Sequence, residues 1–109
     1  MVAFPLISVM RSVIWSPEAE TELYDILVYW IYRNRSTTYS IRLEEAIQQN
    51  IQAIVLNPEI GKLTNRQNVR LKLAEQYWIV YEITPNQIMI LSIFDTRQDD
   101  KKLKKKIKS

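Results

Sequence analysis

The sequence predicts an α+β domain, a helical hairpin laid on one face of an antiparallel sheet. Three observations carry that prediction. Two long stretches, up to Asn34 and then from Thr37 to Leu56, place apolar residues at the spacing of an amphipathic helix. Three later segments, residues 69–73, 77–83 and 88–94, are β-branched or aromatic and are separated by turn-forming residues. The chain has 109 residues, enough for one hydrophobic core and too few for two. The expected order is β-α-α-β-β-β with a short C-terminal helix.

The first ten residues, MVAFPLISVM, are mostly apolar, but too few to span a bilayer. They lack the basic start and small-residue cleavage site of a secretory signal, and Pro5 interrupts them. A cytoplasmic chain is expected, with residues 1–9 a dispensable N-terminal extension and residues 10–109 the single domain. Residues 11–15 (RSVIW) read as a first strand. Ser16-Pro17-Glu18 opens a helix, with a hydroxyl to cap orphan amides, a proline suited to the first turn, and acids that favour the positive helix end. Its stripe is Ala19, Leu23, Ile26, Leu27 and Trp30, and it should end near Arg33-Asn34.

A tight connection at residues 35–37 folds the second helix back antiparallel to the first. Leu43, Ala46, Ile47, Ile51, Ile54 and Val55 form its stripe, and Asn57-Pro58 stops it because a residue before proline is pushed out of the α region. A polar loop with the only glycine, Gly61, runs to Asn68. In Val69-Arg70-Leu71-Lys72-Leu73 the period of two sets Arg70 and Lys72 side by side on one face. Glu75-Gln76 and Thr84-Pro85-Asn86 are the following turns. Ile88 to Phe94 is a nearly continuous apolar run, suited to a central strand. Asp99-Asp100 opens a lysine-rich helix in which Leu103 and Ile107 lie four residues apart.

Composition narrows the chemistry. With 47% apolar and 25% charged residues, the chain is neither disordered nor fibrous. It has no cysteine and no histidine, which removes thiolate nucleophiles, imidazole bases, catalytic triads and Cys- or His-bound zinc. Residues 1–50 carry six acids and four arginines, whereas residues 60–109 carry eleven basic and five acidic groups. A basic second half suits a polyanionic partner or an acidic protein segment.

Four phrases then coincide in order: Val13 to Ala19 (VIWSPEA), Leu56 to Gly61 (LNPEIG), Tyr77 to Ile83 (YWIVYEI) and Ile90 to Gln98 (ILSIFDTRQ), followed by Leu103. Together they resemble the RelE/ParE superfamily of bacterial type II toxins, in particular its ParE-like plasmid stabilisation branch, over roughly residues 11–104. The resemblance implies a cofactor-free toxin and growth inhibitor, neutralised by a small antitoxin that wraps its surface. ParE-like members inhibit DNA gyrase; RelE-like members cleave messenger RNA on the ribosome.

By the same resemblance, Arg70, Lys72 and Arg97 match basic positions of the RelE-like nucleases. Gathered on one concave sheet face, they would stabilise the phosphorane formed when a ribose 2′-hydroxyl attacks the adjacent phosphate, making a metal-independent endoribonuclease. Two departures weaken that reading. Trp78 stands where those nucleases carry a further arginine, and no aromatic residue or histidine follows Arg97. Proton transfer would fall to Lys72, Asp95 or Tyr81. In the ParE-like reading, Trp78, Tyr81, Asp95, Lys101, Lys102 and Lys105 are binding residues for the antitoxin or a protein target such as DNA gyrase. A third reading is a non-toxic basic binding module. Plainer roles stand beside these: a solvated strand face for Arg70 and Lys72, a local ion pair for Arg97 with Asp95, a core role for Trp15 and Trp30, and a solvated helix face for the lysine tail.

Overall fold

The computed structural model describes residues 11–108; the proposed extension, residues 1–9, lies outside them. The elements are β1 (Ser12–Trp15), α1 (Pro17–Asn34), α2 (Thr38–Leu56), a 3-10 turn (Pro58–Ile60), β2 (Lys62–Leu63), β3 (Val69–Ala74), β4 (Tyr77–Ile83), β5 (Gln87–Asp95) and α3 (Asp100–Lys108). Ser16 caps α1, its Oγ accepting from the Ala19 amide at 3.0 Å. Arg35 ends that helix in the left-handed region, and Asn57 leaves α2 with extended φ before Pro58.

The strands form one sheet in the order β1-β5-β4-β3-β2. From β2 to β5 the pairing is antiparallel, as expected for a meander, but β1 joins β5 in parallel, Ser12 opposite Gln87 and Trp15 opposite Ile90. The connection between them, which includes both helices of the hairpin and strands β2 to β4, is long enough to return the chain in that sense. The loop after α2 also differs from expectation. Residues 58–60 form a turn of helix and Lys62–Leu63 pair with Leu71 and Arg70. The reason lies on β4: the buried Tyr81 hydroxyl donates to the Pro58 carbonyl at 2.6 Å and accepts from the Gly61 amide at 3.0 Å, pinning the loop to the sheet.

The larger core lies between the hairpin and the sheet, where Leu43, Ile47, Ile51 and Ile54 meet Ile79, Tyr81, Ile88 and Ile90. Trp15 and Trp30 pack against it, partly buried, and the Trp30 Nε1 donates to the Tyr77 hydroxyl at 2.8 Å. The opposite sheet face is not bare. Leu103 and Ile107 of α3 pack there on Val69, Leu71 and Val80. No helix among the described residues is long and apolar enough to cross a membrane.

Candidate functional site

β5 carries one residue more than β4 at its centre: Val80 pairs with Ser92 and Tyr81 with Ile90, so Leu91 is a β-bulge. β1 stops opposite Ile90, and α1 begins where a further strand would lie. Side chains of that segment take over the open edge. The Ser16 hydroxyl donates to the Leu91 carbonyl at 3.1 Å, and the Ile93 amide donates to Glu22 Oε1 at 3.1 Å. The same Glu22 oxygen accepts from the fully buried Ser92 hydroxyl at 2.8 Å. Its other oxygen meets the Lys106 ammonium at 2.8 Å, and Lys106 also bonds Glu18. One carboxylate thus ties α1, the β5 edge and α3 together. Burial opposes the charge on Lys106, but the hydrogen bonds to Glu18 and Glu22 outweigh it and raise its pKa.

Beyond this knot a groove of about 850 Å³ opens between α1 and α3. Its floor includes Tyr77, Ile93 and Phe94; Asp25, Ile26 and Tyr29 form the α1 wall. Asp95, Arg97, Lys102 and Lys105 line its other side. Arg97 closes on Asp95 through Nε at 3.0 Å and Nη2 at 2.7 Å, with the Arg97 amide adding a bond at 2.9 Å. The side-chain hydrogen bond from Arg97 holds the Asp95 carboxyl below its ordinary range. An apolar floor between an acidic and a basic wall suits a peptide carrying both kinds of side chain.

The residues singled out in the sequence divide between separate places. Asp95, Arg97, Lys102 and Lys105 share the groove. Arg70 and Lys72 are not among the residues that line it. Both have the strand parity of Ala74, whose side chain lies in the core under the hairpin. Arg70 Nη1 donates to the carbonyls of Glu59 at 3.0 Å and Gly61 at 2.9 Å, and Lys72 Nζ donates to Asn50 Oδ1 of α2 at 2.7 Å. Arg97 follows β5, two strand spacings away, about 10 Å. Trp78 is half-buried on the α3 side of the sheet with the Lys62 ammonium 5.9 Å from its ring. Tyr81 is fully enclosed under the hairpin, and burial pushes its hydroxyl pKa up against the opposing Gly61 hydrogen bond. Lys101 is exposed on the first turn of α3.

Glu22 escaped the sequence reading. The available signal was Ser92, a lone hydroxyl inside an apolar strand, which requires a partner once buried.

A family profile described as ParE toxin of type II toxin-antitoxin system, parDE, matches residues 13–100, most of the chain. The chain belongs to the ParE toxin family. It is thus the toxin component of a type II toxin–antitoxin system and has a cognate antitoxin as partner. The fold of this ParE-family toxin is also that of a solved structure described as the chromosomal ParDE TA system from P. aeruginosa. The two agree with a TM-score of 0.69 at 18% identity, over 81% of this chain and 98% of that one. A comparison with curated proteins finds no match.

Proposed function

We propose that this toxin acts in the cytoplasm as a growth inhibitor and plasmid-stabilising element, by binding a protein target, DNA gyrase, and cleaving nothing itself. Gyrase enters through the ParE likeness. The observation that favours binding over catalysis is that each of the three basic residues a nuclease would need is already engaged by a fixed partner. Arg70 and Lys72 are spent on Glu59, Gly61 and Asn50, and Arg97 on Asp95. Cations already satisfied by fixed partners, and set on different elements, are poorly placed to share one phosphorane. The groove between α1 and α3, with Asp95, Arg97, Lys102 and Lys105, is the proposed seat of an antitoxin segment. Lys101, at the start of α3, and Trp78, on the sheet face that α3 covers, are proposed as flanking contacts.

The test adds purified toxin to a gyrase supercoiling reaction. The expected result is loss of supercoiling, reversed by the antitoxin; full supercoiling at saturating toxin overturns the reading. Primer extension on messages in a translating lysate runs in parallel. Discrete cuts that vanish with Arg97→Ala would replace the proposal with a RelE-like ribonuclease using Arg70, Lys72 and Arg97. Growth unaffected by expression without antitoxin would leave a non-toxic binding module.

A further inference from the structure

Helix α3 carries more positive charge than its own stability favours. Between Lys101 and Lys108 every residue is a lysine except Leu103 and Ile107, with no acid among them. Leu103 and Ile107 face the sheet, and Lys106 turns to Glu18 and Glu22. A period of 3.6 then places Lys101, Lys104, Lys105 and Lys108 together on an outward stripe, and all of them are exposed. Like charges three or four positions apart on such a stripe repel one another. Lys101 also stands in the first turn, at the positive helix end, where a cation is unfavourable. The acids beside the stripe in the chain are Asp99 and Asp100, and Asp99 Oδ1 accepts from the Lys101 amide at 3.0 Å. No acid among the described residues forms an ion pair with Lys101, Lys104 or Lys108.

We infer that this stripe is a contact for the phosphate backbone of double-stranded DNA, made without reading base sequence. A polyanion relieves the repulsion that the helix otherwise carries. The stripe differs in kind from the groove beside it, whose apolar floor lies between walls of both signs. On the outer curve of α3 there are cations alone. A peptide is held by apolar or aromatic anchors, and a single strand by rings on which its bases stack. Phosphates of a duplex require neither. A helix that lies on an anionic membrane inserts its apolar face, and the apolar face of α3 is taken by the sheet. The major groove of B-form DNA admits one side of a helix, whereas that of A-form RNA is too narrow. Lys101 is also a proposed flank of the antitoxin site, so DNA and antitoxin share that end of the stripe.

Fluorescence anisotropy with a short labelled duplex of arbitrary sequence tests this on the full chain. Affinity is expected to fall as salt rises, with a log–log slope of about −3 or steeper. Lys101→Gln, Lys104→Gln and Lys108→Gln together should weaken binding alike on every sequence and make that slope shallower by about one per lysine. The melting temperature should not fall, because the removed charges repelled one another. A charge-matched control on the hairpin, Arg33→Gln, Arg35→Gln and Arg42→Gln, should leave binding intact. Absence of binding at the lowest salt that keeps the chain soluble overturns the inference. So does an equal loss in the two triple variants, which net charge alone would produce. Tighter binding to a single strand, to duplex RNA, to polyglutamate or to vesicles of anionic lipid overturns it as well. The assay contains no gyrase, so DNA binding with supercoiling left intact sinks the proposed target and not this contact, and the converse result does the opposite.

Discussion

Tyr81 illustrates how much of the architecture depends on single polar atoms. Its hydroxyl is enclosed and satisfies the Pro58 carbonyl and the Gly61 amide at once. Tyr81→Phe leaves both without that partner, and the expected loss is about 1–3 kcal/mol, read from urea denaturation. Gly61 is required by space: a Cβ there would lie 2.6 Å from that hydroxyl and 2.9 Å from the Leu71 carbonyl, so Gly61→Ala should lower the melting temperature. At Asp95 the folded pKa is depressed below the ordinary 3.8 by Arg97. The stability it contributes is therefore present above pH 3.8 and disappears as pH falls through the lower, folded value. Carboxyl NMR should show Asp95 titrating below that reference, and Asp95→Asn should abolish this part of the acid dependence. The Asp95–Arg97 pair was legible because a single residue, Thr96, separates the partners. Tyr81 was not, because alternation fixes a face and says nothing of a carbonyl twenty-three positions away.

Among the elements, α3 is held by few groups. Leu103 and Ile107 supply its apolar contact, Lys106 joins it to Glu18 and Glu22, and Arg66 donates to the Ile107 carbonyl at 2.8 Å. Lys106→Met should leave the β4–β5 amides protected while hydrogen exchange across α3 quickens. The pH dependence runs opposite to that of Asp95. The folded pKa of Lys106 is raised, so its contribution is complete below 10.5 and fades as pH rises through the folded value. Helix ends were readable because Ser16, Pro17 and Pro58 act through local stereochemistry. β2 was not, since two residues carry no period. The four-residue spacing of Leu103 and Ile107 was legible in α3, but not that the two side chains would cover the second face of the sheet.

At the scale of the whole molecule, β1 and β5 meet across most of the chain: the Ser16 hydroxyl reaches the Leu91 carbonyl over 75 positions. Closing so long a loop is slow compared with forming the β4–β5 hairpin. Stopped-flow kinetics should therefore give Val13→Ala a φ-value below about 0.3, with its cost appearing as faster unfolding, and Ile79→Val a larger one. Element order was legible from periodicity alone, but the parallel edge strand was not, because its partner is chosen only after the hairpin has folded. The extra residue in β5 has a consequence of its own. Regular pairing resumes on both sides of Leu91, so its removal would leave the inward and outward alternation of the strand unchanged. The ladder with β4 would still hold Asp95 opposite Tyr77, but the carbonyl that accepts from the Ser16 hydroxyl, and the local twist a bulge adds, would be lost. Leu91 thus serves the junction of strand and helix cap rather than the ladder itself, and a gene missing that one codon would encode a sheet still in register with its tether to the first helix gone.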